Sequence, residues 1–299
     1  MFIEPRLFSS VEFFKGFRIT GSAELKNQQI TTYSDFGSVS PSIRGLSIAD
    51  NVFILAGETT RDEQIFTIPI IKSKQFTFGA LYTYKGWNFD VEGYYKNLTD
   101  ITSVSNPILE FVNITNDNDE LAIGKETRIG LDFLLKKRIK NYRFWFGYSL
   151  SKTVVDFPSL QENSFAGNFD QRHVFNISQT LKVKDFEFAL GWNYSSGRPF
   201  TKLLSNDSGY AGLLLDPEGI NAQRFKDFHR LDASVVYRFK IDAKKPWGGM
   251  FGFSLRNIYN RENTLEQGFR EIGTEDVIIE AFERKSLRLT PDIVIRFNF

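Results

Sequence analysis

Apolar and polar residues alternate one by one over stretch after stretch of this chain, and few folds can use such a pattern. Within residues 75–84 one parity reads Phe76, Phe78, Ala80, Tyr82, Tyr84, and the other Gln75, Thr77, Gly79, Leu81, Thr83. In the next stretch Trp87, Phe89, Val91, Gly93 and Tyr95 back onto Asn88, Asp90, Glu92, Tyr94 and Lys96. Successive side chains of an extended strand point to opposite faces, so each stretch reads as a strand with one greasy and one wet face. The split recurs over residues 128–136, 143–151, 175–183 (with Gln179 as a polar intruder on the apolar row), 186–195, 230–239, 251–256 and 292–299. Two weaker segments, about 2–13 and 17–27, open the chain. The total is eleven strands of about ten residues, the length that a tilted strand needs to cross a bilayer.

The connections carry a second pattern. They are short at residues 14–16, 85–86, 139–141 and 184–185, and long at 28–74, 100–125, 153–171, 196–229 and 261–285, with an intermediate one at 240–246. Long and short alternate, as in an antiparallel meander with its long loops at one end and its tight turns at the other. Aromatics gather beside the turns (Phe13, Phe17, Tyr84, Trp87, Tyr142, Phe186, Phe239, Trp247, Phe299), where a girdle at one membrane interface would place them. A soluble barrel would have to put these rows inside, and 31 Phe, 11 Tyr and 4 Trp would overfill a small interior. No apolar run approaches the roughly 20 residues of a membrane helix. The expected fold is therefore all-β: antiparallel transmembrane barrel strands with long external loops and short periplasmic turns.

Charge and cysteine content exclude other classes. With 37 Lys+Arg against 36 Asp+Glu the net charge is +1, so there is no basic field for nucleic acid. The chain has no cysteine, which removes thiolate metal sites, cysteine nucleophiles and disulfides. An odd strand number starting outside and ending inside cannot close an antiparallel barrel, and Met1 runs into a strand with no export leader before it. These two features lead us to expect the carboxy-terminal half of a barrel of about 22 strands, with plug domain and signal peptide absent from residues 1–299.

Several motifs carry a family resemblance. They are Asn168-Phe-Asp-Gln-Arg-His-Val-Phe-Asn176, Tyr194-Ser-Ser-Gly-Arg-Pro-Phe-Thr201, His229-Arg-Leu-Asp-Ala-Ser-Val-Val-Tyr-Arg-Phe239, Ser254-Leu-Arg-Asn-Ile-Tyr-Asn-Arg-Glu-Asn263 and the terminal Phe299. Together with Ile3-Glu-Pro-Arg-Leu7, these resemble the carboxy-terminal barrel region of TonB-dependent outer-membrane receptors, with a Bacteroidetes-like flavour. The resemblance spans essentially the whole chain. It implies a bacterial outer-membrane location and uptake of a scarce nutrient, such as an iron-siderophore, cobalamin or an oligosaccharide. Energy would come from TonB, ExbB and ExbD acting through a plug domain. A passive porin is the main alternative, and an outer-membrane barrel hydrolase a weaker one.

Candidate chemistry is sparse. The two histidines, His173 and His229, each sit beside an arginine and near Asp170 or Asp232. A metal or acid/base site is one reading of the four, and rim hydrogen bonding that anchors external loops is the preferred one. Asn116-Asp-Asn-Asp-Glu120 offers hard oxygen ligands but lacks the glycine and distant bidentate Glu of a calcium loop, and reads as a solvated loop tip. There is no nucleophile elbow, phosphate loop, zinc-protease motif or dinucleotide fingerprint. We therefore expect no catalytic, cofactor or metal residues. Cargo contacts would come from loop aromatics and arginines, among them Tyr33, Phe36, Arg44, Phe53 and Arg61 in the longest loop and Phe200, Tyr210, Arg224 and Phe225 in loop 196–229. The substrate-binding residues are not fixed by the sequence.

Overall fold

Eleven strands form one antiparallel sheet in strict chain order. The structure, a computed structural model, describes residues 3–28, 30–34, 51–55, 57–61, 64–104, 121–204, 214–215, 218–241, 248–272 and 278–298. The strands are β1 (Arg6–Phe14), β2 (Phe17–Gln28), β3 (Ile71–Tyr84), β4 (Trp87–Val104), β5 (Leu121–Ile139), β6 (Tyr142–Asp156), β7 (His173–Val183), β8 (Phe186–Ser195), β9 (Phe228–Lys240), β10 (Gly248–Arg256) and β11 (Thr290–Asn298). Each pairs with its neighbours in sequence, and among the described residues β1 and β11 each form a ladder on one side only. The sheet is therefore open along those two edges.

All eleven expected strands are present, and β3 to β6 run longer at the loop end. β4 and β5 reach 18 and 19 residues, about twice what a bilayer crossing requires. Alternation reports a greasy face only where one side meets lipid. Beyond that level neither face meets lipid, so Asn97, Thr99 and Lys125 carry no period that would announce a strand. The long connections also hold two-stranded ribbons. Ile30–Ser34 pairs with Asn51–Leu55, Gly57–Arg61 with Gln64–Ile68, and Thr264–Ile272 with Ile278–Lys285.

Register keeps the two faces distinct across the sheet, because directly opposed residues share a face. One row runs Val11, Ile19, Ala80, Val91, Phe133, Tyr148, Phe175, Tyr194, His229. Its neighbour on the opposite face runs Ser10, Thr20, Gly79, Glu92, Asp132, Ser149. The apolar face lies open: Phe76, Phe78, Ile129, Leu131, Phe188, Leu190, Ile293 and Ile295 are all exposed, Phe78 to 66%. Among the described residues the fully buried hydrophobics are Ala122, Val155, Phe157 and Ile220, far too few for a chain of this length to fold around in water. Gln179, the polar intruder, accepts a hydrogen bond from the Tyr142 hydroxyl (3.0 Å).

The polar face is tailored as closely as the apolar one. Tyr94 lies flat across Gly130, where a Cβ would collide with its ring. Gly130→Val should push the ring off the sheet and lower stability by about 1–2 kcal/mol. Thermal unfolding of Gly130→Val alone and combined with Tyr94→Ala checks this, since the second substitution should recover most of the loss.

Candidate functional site

The polar face at the loop end is where the long connections converge, and it is built from three layers of contact. The lowest is a band of compensated charge on the sheet. Glu24 is paired with Lys26 (2.8 Å), Arg128 with Glu126, Arg230 with Asp232 (2.9 Å), and Ser149 donates to Asp132.

The second layer is a small apolar cluster above it. Asp100, at φ 63°, is an extra residue in β4, so that Thr99 opposes Lys125 and Ile101 opposes Gly124. This bulge reverses the parity of everything beyond it. Ile101 thereby joins Ala122 and Val155 on the polar side, where Phe157, Leu160 and Phe165 close over them. The ring of Phe157 covers Gly124, and the segment after β6 folds back across the polar face.

The third layer is a collar of hydrogen bonds joining the connections. The Asp170 carboxylate is buried. It accepts from the backbone N–H of Thr153 (2.7 Å) and from Arg224, with Arg172 at 3.4 Å. Arg224 also donates to the carbonyls of Asp170 (2.7 Å) and Gly197 (3.0 Å). Asn221 donates to the Ala166 carbonyl (2.8 Å) and to Asn168 (2.6 Å). Arg261 donates to the Asp227 carbonyl (3.0 Å), and Asn263 exchanges two hydrogen bonds of 3.1 Å with the backbone of His229.

Asn257 anchors the last connection. It is 1% exposed, its side chain donates to the carbonyls of Arg261 (2.7 Å) and Leu287 (3.0 Å), and it accepts from the Arg261 N–H (3.0 Å). Its φ of 56° suits Asn and strains most other residues. Asn257→Ala should cost about 3 kcal/mol through unpaired buried groups and the left-handed backbone together. Faster protease cleavage between β10 and β11 is the measurement. Nearby, hydrogen bonds from Arg288 hold the Glu262 carboxyl below its ordinary value, with Lys285 adding to the effect. A lowered folded-state value means that this pairing is intact at neutral pH and is lost only as pH falls through that lowered value.

The sequence candidates divide between the faces. His173 and His229 share parity with Phe175 and Leu231 and lie on the apolar row, hydrogen-bonded to the hydroxyls of Tyr148 (3.0 Å) and Tyr259 (2.8 Å). Asp170 and Asp232 belong to the polar side, so the four do not converge; among the described residues no cluster of three or more His, Cys, Asp or Glu could hold a metal ion. The histidines instead complete a belt with Tyr148, Phe175, Trp192 and Tyr194, whose ring centres lie 4.6 Å (Tyr148–Phe175), 5.5 Å (Phe175–Tyr194) and 5.9 Å (Trp192–Tyr194) apart. The turn-side girdle is present as well, in Phe14–Phe17 (5.0 Å), Trp87–Phe89 (5.8 Å) and Phe186–Tyr237 (4.7 Å).

Of the proposed cargo residues, Phe200 stacks on Phe225 (4.5 Å) and Arg224 is committed to the collar. Tyr33, Phe53 and Arg61 lie on strands, but their side chains fall outside the described set; Phe36, Arg44, Tyr210, residues 116–120, Trp247 and Phe299 lie outside the described residues altogether. Sequence reasoning passed over Phe169, which is 78% exposed beside the buried Asp170, with the Arg198 guanidinium 5.9 Å from its ring. The signal the sequence offered was an aromatic set between polar residues in a loop, Asn168-Phe-Asp170.

Among solved structures, the sheet superposes on the ferric-catecholate import receptor Fiu from K12 E. coli (TM-score 0.56, 12% identity, 98% of this chain and 34% of that one). It also matches BauA, the ferric preacinetobactin receptor from Acinetobacter baumannii (TM-score 0.57, 10% identity, 99% and 36%), and the copper transporter OprC (TM-score 0.57, 11% identity, 98% and 39%). The fold is shared with these receptors and this transporter. No family model and no curated protein matches the sequence. The chain spans little more than a third of the length of these receptors. An exposed apolar band between two aromatic belts is the surface that lipid covers in an outer-membrane barrel, and the polar face with its collar is the opposite side of the sheet.

Proposed function

We propose that this chain is the carboxy-terminal part of an outer-membrane receptor barrel that takes up a scarce small-molecule or glycan nutrient. The observation that carries the reading is the chain-order meander with its apolar face outward and its loops tied together over a polar interior. Support comes from the fold shared with import receptors for ferric chelates and with a copper transporter. In this reading the open edges of β1 and β11 are completed by further strands of the same barrel, and a plug domain couples transport to TonB, ExbB and ExbD. The collar and the exposed Phe169 with Arg198 then form part of the cargo vestibule. A passive porin would need the lumen alone, without a plug.

Two measurements test this. A deletion strain grown on limiting iron, copper, cobalamin and glycans should lose growth on one of them and regain it on complementation; equal growth on all would count against uptake. Planar-bilayer recording of the intact protein should show a closed channel, and steady open-pore current would favour the porin.

A further inference from the structure

The tight turns carry a feature that neither folding nor transport explains. Each of the four two-residue turns between described strands contains a lysine: Lys15-Gly16, Lys85-Gly86, Lys140-Asn141 and Lys184-Asp185. Lys85, Lys140 and Lys184 have φ of 44°, 44° and 52°. Left-handed positions favour Gly, Asn or Asp. Elsewhere that rule is obeyed, since among the described residues the other non-glycine positions with positive φ are Asp100, Asn221, Asn257 and Asn260. At two turns the better residue stands one position later, in Asn141 and Asp185. The charge is kept where the backbone would prefer something else.

These lysines sit immediately beyond the turn-side aromatic girdle. Lys85 Nζ lies 5.1 Å from the Tyr84 ring centre. Lys137 Nζ lies 4.6 Å from the Trp87 ring centre and donates to the Lys85 carbonyl (2.8 Å). All four turn lysines are exposed, and among the described residues none is ion-paired. The neighbouring acids are partly committed: Glu12 to Arg18 (3.7 Å) and to the Gly16 N–H (3.2 Å), and Glu187 to Arg238 (3.0 Å). Asp185 is the acid within the turns themselves. A row of unpaired ammonium groups just outside an aromatic belt stands at the depth of lipid phosphates.

We propose that Lys15, Lys85, Lys140 and Lys184 dock the phosphate headgroups of anionic phospholipids in the leaflet on the turn side, fixing the depth and tilt of the barrel there. This rests on the barrel reading above. The test uses the intact protein, with Lys15, Lys85, Lys140 and Lys184 changed together to Asn. Asn suits the left-handed turns better than Lys, so folding is preserved, and a second variant with all four changed to Arg keeps the charge. Native mass spectrometry and vesicle titration compare phosphatidylglycerol with phosphatidylcholine.

A basic residue near an anionic surface contributes about fivefold in binding, so the Asn variant should lose at least about tenfold in preference for phosphatidylglycerol, and the Arg variant should retain it. Unchanged preference in the Asn variant overturns the proposal, as it would if the lysines instead served an acidic soluble protein. Flotation of the unmodified protein with vesicles separates this proposal from the barrel reading on which it rests. Failure to float sinks the barrel assignment, whereas flotation without lipid preference sinks this proposal alone.

Discussion

Asp170→Ala should release the connection between β8 and β9 from the segment after β6 and cost about 2–4 kcal/mol. Breaking a buried ion pair by removing one partner costs about 3–5 kcal/mol. The figure is reduced here because Arg172 and Arg224 are 33% and 35% exposed and can turn to water. Three groups lose their acceptor together: the Thr153 N–H, Arg224 and Arg172. Asp170→Asn still accepts from Thr153 but loses the charge, so it should fall between. Limited proteolysis reads the outcome, with new cuts at 157–171 and 196–227 while the strands stay protected. Unchanged cleavage in the alanine variant would show that the collar is held by the Asn221 and Arg261 contacts alone.

The other large effect is on the opposite face. Leu190 is exposed in the middle of β8, and the preceding residue, Ala189, faces the polar side between Thr180 and Ser234. Leu190→Arg should destabilise the inserted barrel by about 2–4 kcal/mol, the cost of a cation facing lipid near the midplane. Ala189→Arg, one step along the backbone, should be close to neutral because it enters a wet lumen. Refolding into lipid vesicles, followed by denaturant titration, compares them. Equal penalties would mean that the apolar face is not in contact with lipid.

These two experiments probe the parts that differ most in how legible they were. The strands could be read from the sequence because a lipid-facing row is a one-sided constraint that repeats every second residue; Phe76, Phe78 and Tyr82 admit no other periodicity. The same count already put His173 in line with Phe175 and His229 in line with Leu231, so the separation of His229 from Asp232 within β9 was available from parity alone. The collar was not, because Asp170, Asn221 and Asn257 act through backbone carbonyls and N–H groups of distant segments, and hydrogen bonds of that kind leave no spacing in a sequence. The apolar cluster around Val155 was hidden for a different reason. It depends on one surplus residue that moves Ile101 from one face to the other.

That surplus residue has a consequence for anyone who would exchange loops between barrels of this kind. Asp100 resets the numbering frame of β4: even residues below it and odd residues above it face inward. A graft joined above Asp100 inherits the outer frame and can vary freely in length and composition. A graft joined one residue below it delivers its side chains to the wrong compartment, however well its ends fit.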